Sequence, residues 1–207
     1  TYLKDAGVQI VLANELLEER TNFYSHLHDS KIICGSITDD LIFDEIIRQS
    51  KYEKVNFILA TPPCQGMSMA GKMQEDDPRN YLIIKAMEAF ILISPDAMLI
   101  ENVSQMYQTS IIINNEKVNI KNYIQVICKK YGYNVKFDIF DAADYGTAQH
   151  RKRSFTRIFK DTYIWQDPVK QKHITVAEKI KELPSLESGE KSNIRWHNAR
   201  LHNERHI

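Results

Sequence analysis

Cysteine is scarce in this chain, which has three among 207 residues: Cys34, Cys64 and Cys128. Their number is odd and no two of them stand in a C-x-x-C spacing. A disulfide framework and a structural zinc site both need more cysteines, or a different spacing. We therefore predict no metal site and reduced thiols.

Long apolar runs and an excess of one charge are also missing. No stretch approaches the ~18–20 apolar residues of a membrane span, and the N-terminus has no signal-peptide pattern. This predicts a soluble, cytoplasmic protein without membrane contact. The 27 basic residues equal the 27 acidic ones. Any surface that binds nucleic acid must therefore be a local basic patch.

Short apolar runs alternate with helical patterns along the chain. Strands are predicted at residues 8–13, 32–34, 55–60, 97–100, 133–140 and 154–159. Helices are predicted at 14–27, 78–93 and 119–130, and after Thr38 in a segment that carries Leu41, Ile42, Ile46 and Ile47. We interpret the stretch from the end of the strand at 97–100 through Asn115 as irregular, and Thr38 as a helix N-cap. The alternation predicts an α/β domain with a doubly wound, mostly parallel sheet of the Rossmann-like type, in which the last strand is antiparallel.

Two of the predicted strands end at residues that can do chemistry. The run Val55–Ala60 is followed by two prolines, which cannot continue a sheet, and then by Cys64. The next strand, 97–100, is followed directly by Glu101. Because ligands of open α/β sheets bind at the carboxyl ends of the strands, we expect this thiol and this carboxyl to face one crevice.

The two ends of the chain differ from its middle. Domains of this type normally open with a strand, a glycine-rich turn and a helix, but no G-x-G precedes the first predicted strand. We expect that the chain is a fragment or that residues precede Thr1. From about Asp161 the sequence becomes polar, with a single helical pattern. We predict a catalytic and cofactor-binding domain at 1–160 and a connector at 161–207.

Three motifs, in order and with characteristic spacing, resemble those of the cytosine-C5 DNA methyltransferases. They are Pro63-Cys64-Gln65-Gly66 with Ser68 downstream, Glu101-Asn102-Val103, and Gln149-His150-Arg151-Lys152-Arg153. The resemblance implies S-adenosylmethionine as methyl donor, S-adenosylhomocysteine as product, duplex DNA as substrate and a bacterial restriction–modification system with a cognate restriction endonuclease. It also implies that a target-recognition region lies beyond Ile207.

The resemblance also implies roles for individual residues. Cys64 is the nucleophile that adds to carbon 6 of a flipped-out cytosine, because a thiolate attacks and leaves readily. Glu101 hydrogen-bonds N3 and the exocyclic amine, and Arg153 donates to O2. Arg151 contacts a phosphate or braces the Cys64 loop. The loop itself includes Pro63, Gln65, Gly66, Ser68 and Asn102, of which Asn102 orients the loop.

The cofactor residues carry the main departures from the family pattern. Glu15 matches the acid that binds the ribose, but the aromatic residue that often follows it is Leu16 here. Ser36 replaces the acid that recognises the adenine amino group. Ile37, Pro63 and Leu82 complete the implied cofactor site.

Other interpretations of the same residues stay open. Glu15 can be an ordinary acid at a helix N-terminus, and Arg151-Lys152-Arg153 a solvated basic face. The substrate can be transfer RNA, which some members of the family methylate. The chain can also be a truncated, non-catalytic module that binds nucleic acid or cofactor. A thiol hydrolase is disfavoured, since no histidine stands in a comparable motif.

Overall fold

The computed structural model describes residues 3–63 and 78–202, and the chain divides into two compact units. The first contains Thr1–Phe140 and Lys152–Asp167, and the second Asp141–Arg151 and Pro168–Ile207. The predicted boundary between a domain at 1–160 and a connector at 161–207 stays a prediction.

Strands and helices alternate along the described chain, with short 3₁₀ turns at Pro78–Tyr81, Ser104–Gln108 and Ala142–Tyr145. The elements are β1 (Leu12–Glu15), α1 (Glu18–Leu27), β2 (Lys31–Cys34), α2 (Asp40–Tyr52), β3 (Phe57–Ala60), α3 (Leu82–Ile93), β4 (Ala97–Val103), β5 (Ser110–Ile113), β6 (Glu116–Asn119), α4 (Ile120–Lys130), β7 (Asn134–Asp141), β8 (Lys152–Phe159) and α5 (Val176–Ile180).

The strands form three sheets. In the largest the order is β3-β4-β8-β7, with β3 parallel and β8 antiparallel to β4. β1 and β2 form a parallel pair, and β5 and β6 an antiparallel hairpin. The predicted doubly wound, mostly parallel α/β architecture is confirmed, including the antiparallel last strand.

One face of β4 and β8 carries the main core. Met98 and Ile100 of β4 and Ile158 of β8 are fully buried, together with Phe90 of α3 and Ile124 of α4. Because side chains alternate across a strand, Glu101 lies on the face opposite to Met98 and Ile100. A smaller cluster joins α2 to α3.

Several predicted boundaries are wrong near the start of the chain. The first strand spans Leu12–Glu15 rather than 8–13, and α1 begins only at Glu18. Asn14 and Glu15 belong to the strand because they pair in register with β2. The N-cap of α2 is Asp39 rather than Thr38, since the Asp39 side chain accepts hydrogen bonds from two backbone N–H groups of α2.

Residues 97–115 are more regular than predicted. β4 continues to Val103, three residues beyond the predicted end, because β8 pairs with it along its whole length. The stretch predicted to be irregular contains the hairpin of β5 and β6, whose two turn residues, Asn114 and Asn115, both have positive φ. Asn tolerates this conformation better than most residues.

Arg157 ties β8 to its neighbours through a buried guanidinium. Its side chain is 5 % exposed, and Nε and Nη2 each lie 2.9 Å from Oδ2 of Asp138 on β7. Nη1 lies 2.7 Å from Oδ1 of Asp167. The Asp138 side chain is 27 % exposed and that of Asp167 72 %. Arg157 thus pairs with one aspartate that is mostly buried, Asp138, and with one that is mostly exposed to solvent, Asp167.

The second unit begins with a turn that one carboxylate closes. The Asp141 side chain accepts a hydrogen bond from the N–H of Ala143 in the turn Ala142–Tyr145. Downstream, α5 begins with a capping box between Thr175 and Glu178. Among residues 3–63 and 78–202, no helix is long and apolar enough to cross a membrane.

We predict that the two aspartates of the Arg157 network differ in their effect on stability. Asp138→Ala leaves a buried guanidinium half paired and should lower the free energy of unfolding by about 2–3 kcal/mol. Asp167→Ala removes a solvent-screened partner and should cost less than about 1 kcal/mol. Urea denaturation of the two variants measures both values. Equal losses would contradict the assignment of the stronger interaction to Asp138.

Candidate active site

The carboxyl ends of β3 and β4 lie side by side. Ala60 pairs with Ile100, so the chain leaves β3 at Thr61 while β4 continues for three more residues. The buried Asn102 uses its side chain to fix this exit, since Nδ2 donates to the carbonyl oxygen of Pro62 at 3.1 Å. The segment that leads into Cys64 is therefore attached to β4.

Glu101 and Arg153 meet on one face of the sheet. Val103 of β4 pairs with Arg153 of β8, which places the Arg153 side chain diagonally beside Glu101. Nε of Arg153 lies 3.1 Å from Oε1 of Glu101, and both side chains are partly buried. Nη1 also donates to the carbonyl oxygen of Lys152 at 2.8 Å. A carboxylate and a fork of N–H donors thus stand together close to the exit of β3.

Arg151 belongs to the second unit, where Asp141 fixes its backbone. Oδ1 of Asp141 accepts from the N–H of Arg151 at 2.9 Å, and Oδ2 lies 3.0 Å from Nδ1 of His150. The N–H of Ala142 donates to the carbonyl oxygen of Arg151. These hydrogen bonds join Asp141 and Ala142, at the start of the loop that carries the Q-x-R motif, to Arg151 at its end. The Arg151 side chain is exposed.

Predicted cofactor residues gather at the carboxyl ends of β1 and β2. The Asn14 amide donates to the carbonyl oxygens of Ile33 and Gly35 at 2.9 and 3.0 Å. Oε1 of Glu15, in the next position, accepts from the N–H of Leu17 at 3.0 Å. The Glu15 carboxylate is thus held at the end of its strand, beside the loop that begins at Gly35.

That loop brings Ser36 and Ile37 to the same edge. Gly35 has a φ of +140°, a conformation rarely open to residues with a side chain, and the chain turns sharply there. The Ser36 hydroxyl lies 2.7 Å from that of Thr38 and accepts from the Thr38 N–H. Ile37 packs against the cluster of α2 and α3. A strand-end carboxylate and a loop hydroxyl thus lie at one edge of the sheet.

The remaining predicted residues divide between described and undescribed positions. Leu16 is exposed beyond β1, Pro63 is exposed, and the half-buried Leu82 is the first residue of α3. Cys64, Gln65, Gly66 and Ser68 lie outside the described residues. Of the other two cysteines, Cys34 is exposed. Burial raises the pKa of the Cys128 thiol to about 12, which excludes a reactive thiolate there.

Sequence analysis missed two residues that organise this region. Asn14 joins β1 to the Gly35 loop, and Asp141 closes the loop before Arg151. Asp141 carried a usable signal, since Asp is a favoured cap that sits directly before the short turn Ala142–Tyr145. Asn14 gave no such signal, because its partners lie 19 and 21 residues away.

Comparison with known proteins agrees with this geometry. The family model described as C-5 cytosine-specific DNA methylase matches residues 2–207. The chain belongs to this family. The chain is 39 % identical to the Type II methyltransferase M1.HgaI of Avibacterium volantium over 214 residues, which cover all of this chain and 59 % of that protein. It is 30 % identical to M1.HphI of Haemophilus parahaemolyticus, with 95 % of this chain and 53 % of that protein covered.

Solved structures support the methylase fold. The chain matches Spodoptera frugiperda DNMT2 with a TM-score of 0.58 and 19 % identity, over 83 % of this chain and 49 % of that one. It matches the Dnmt2 methyltransferase of S. pombe with a TM-score of 0.59 and 14 % identity, over 89 % and 52 %. At these identities the likeness concerns the fold alone, and it confirms the predicted Rossmann-like methyltransferase architecture.

We predict that the stability of the loop before Arg151 depends on the protonation of the Asp141 carboxyl group. The hydrogen bond with His150, followed by those from the N–H groups of Ala143 and Arg151, lowers the pKa of Asp141. The loop is therefore stabilised above the ordinary Asp pKa of about 3.9, and this contribution is lost as pH falls through the lower folded value.

The Arg151 amide proton reports this titration by NMR. Its midpoint should lie below about 3.9 in the wild type and rise in His150→Ala, which removes the largest cause of the shift. Asp141→Asn should abolish the transition and keep the Arg151 amide shift near its neutral-pH value, since an amide oxygen still accepts. An unchanged midpoint in His150→Ala would show that His150 does not set this pKa.

Proposed function

We propose that this chain carries the catalytic and cofactor-binding residues of a DNA cytosine-C5 methyltransferase of the restriction–modification type. The observation that supports it best is the contact between Glu101 and Arg153 beside the exit of β3, which Asn102 attaches to β4. The Glu101 carboxylate offers an acceptor to a planar base, and the Arg153 guanidinium offers a donor. Both lie beside the exit of β3, which in sequence leads directly to the cysteine of the Pro-Cys motif. Family membership supplies the reaction class.

The proposal concerns part of a longer enzyme. The chain spans between about half and three fifths of the length of the curated relatives described above. We assign the methylation activity, the DNA substrate and the partner restriction endonuclease to the whole protein, and to this chain the residues that perform the chemistry.

Cys64 acts as the nucleophile in this proposal. Its thiolate adds to carbon 6 of cytosine, a carbon–sulfur bond forms, and the ring electrons shift to carbon 5, which takes up a methyl group. When bound, S-adenosylmethionine would supply that electrophilic methyl group from its sulfonium, with the sulfur–methyl bond breaking and S-adenosylhomocysteine leaving. A base, which we take to be a water molecule beside Cys64, then removes the carbon 5 proton. The carbon–sulfur bond breaks and the thiolate leaves.

Glu101 and Arg153 stabilise the ring during the addition. Glu101 hydrogen-bonds N3 and the exocyclic amine, and so favours protonation of N3 as negative charge develops. Arg153 donates to O2 with the planar donor fork that a lysine lacks. Their contact in the structure holds both groups on one face before the base arrives. Arg151, on the adjoining loop, contacts a phosphate of the substrate or braces the Cys64 loop.

The cofactor lies at the ends of β1 and β2 in this proposal. Glu15 accepts hydrogen bonds from the ribose hydroxyls, and the Ser36 hydroxyl contacts the adenine. The apolar walls come from Leu16, Ile37, Pro63 and Leu82.

In this proposal the residues that follow Pro63 in sequence contact the target base. Gln65, Gly66 and Ser68 follow the nucleophile in sequence, and Asn102 fixes the start of the loop through the Pro62 carbonyl. Carbon 6 is inaccessible inside a duplex, so the cytosine is flipped out, at a cost of a few kcal/mol. A transfer RNA substrate is the second candidate, because none of the residues named above distinguishes DNA from RNA.

Covalent trapping tests the nucleophile and the substrate together. We expect the chain, incubated with S-adenosylmethionine and a pool of random duplexes containing 5-fluorocytosine, to form a denaturant-stable adduct visible by mass spectrometry. Fluorine at carbon 5 blocks the final proton removal, so the carbon–sulfur bond persists. Cys64→Ser should abolish the adduct, and Cys128→Ala, which alters a buried cysteine on α4, should retain it.

The other outcomes separate the rival functions. An adduct with 5-fluorocytosine transfer RNA but not with duplex DNA would favour the RNA substrate. Failure of both, with S-adenosylhomocysteine binding detected by calorimetry, would identify a cofactor-binding module without catalytic activity. An adduct that survives Cys64→Ser would refute the nucleophile.

A second prediction concerns Glu101. Glu101→Gln should slow single-turnover methyl transfer by about 10²–10⁴-fold, because an amide cannot support protonation of N3. DNA affinity, measured by fluorescence anisotropy, should change little. Glu116→Gln, an exposed change on β6, serves as the control for both measurements. An equal loss of rate and affinity in Glu101→Gln would contradict a role specific to the transition state.

A further inference from the structure

The second unit contains a tightly closed turn at residues 190–199. Lys191 and Asn198 form an antiparallel bridge, and the N–H of Ala199 donates to the carbonyl oxygen of Glu190 at 2.9 Å. The Ser192 hydroxyl lies 2.9 Å from Nδ1 of His197, donates to the His197 carbonyl and accepts from the N–H of Ile194. One serine thus bonds both sides of the turn.

This turn holds Trp196 in an unfavourable position. Its φ is +69°, in the left-handed region that side chains with a Cβ disfavour, and its side chain is 82 % exposed. Glycine or asparagine would fit this backbone with less strain. Within the part of the chain that the structure describes, neither backbone energy nor burial of apolar surface therefore explains a tryptophan here. Strained residues of this kind often occur where a side chain must be presented to a ligand.

The chemistry around Trp196 indicates an anionic partner. The Arg195 guanidinium lies 5.2 Å from the centre of the indole ring, within the range of a cation–π contact. Residues 168–202 contain seven lysines and arginines against four glutamates, although the whole chain is neutral. A positive group beside an exposed aromatic ring is the combination with which proteins bind nucleic acids.

We propose that Arg195 and Trp196, the Arg–Trp tip, form a contact with the DNA duplex outside the residues assigned to catalysis. Arg195 neutralises a backbone phosphate, and the Trp196 ring covers apolar sugar and base-edge surface next to it. The assignment of DNA as the partner rests on the proposed function. The strain and exposure of Trp196 are observed independently of that function.

Trp196→Gly separates this role from a structural one. Glycine relieves the strain at φ +69°, so the melting temperature should stay equal or rise, while the dissociation constant for duplex DNA should increase about 5- to 20-fold. Tyr52→Ala removes another exposed aromatic ring, on α2, and should leave DNA affinity unchanged. Arg195→Gln should reduce the slope of log Kd against log salt by about one.

Intrinsic fluorescence gives a direct readout, because the chain has two tryptophans. The other, Trp165, packs against Phe57 and Tyr163, and its Nε1 has no hydrogen-bond partner among the described residues. Trp165→Phe should therefore fold and leave Trp196 as the single emitter. Duplex DNA should quench this emission and protect it from iodide.

Four outcomes would overturn the inference: wild-type DNA affinity in Trp196→Gly, a lower melting temperature with unchanged affinity, quenching by transfer RNA alone, or self-association of the chain that Trp196→Gly abolishes. The proposed catalysis is judged separately by the Cys64 adduct. A weakened Trp196→Gly complex without any adduct in the wild type would uphold the Arg–Trp tip and count against catalysis by this chain.

Discussion

The antiparallel pairing of β4 with β8 determines the geometry of the candidate site. Seven residue pairs, from Ala97 with Phe159 to Val103 with Arg153, fix the register. A shift by one residue would move Arg153 to the opposite face, away from Glu101, and would expose the buried Ile158. The same register therefore both packs the core and places Glu101 beside Arg153.

Glu101 and Asn102 use the two faces of β4 for different purposes. Glu101 lies on the partly open face and contacts Arg153, whereas the side chain of Asn102 is buried and bonds the Pro62 carbonyl. Because neighbouring residues of a strand point in opposite directions, one position can contact Arg153 while the next bonds the exit of β3, without competition for space. The strand thus fixes Pro62 on one side and presents Glu101 on the other.

How well sequence analysis predicted a feature depended on how far apart in the chain the interacting residues are. The α/β class, the antiparallel last strand and the proximity of residue 101 to the end of β3 were predictable, because apolar runs and prolines are local signals. The hairpin at Asn114 and Asn115 was missed although two asparagines between apolar and polar runs are a turn signal. Asn14 was assigned to a helix because its strand position depends on Ile33 and Gly35, whose proximity no local pattern reveals.

Under the proposed function, zero net charge is compatible with binding of a polyanion because the charges are segregated along the chain. Residues 3–63, which include Glu15 and Ser36, hold ten acidic and six basic side chains, whereas residues 168–202 hold four and seven. An acidic segment suits a cofactor that carries a sulfonium, and it repels phosphates. A basic segment attracts them, through an interaction that salt screens over about 8–10 Å. Under the proposed function, this division directs the sulfonium cofactor and the polyanionic substrate to different segments, which a uniform charge of either sign could not do.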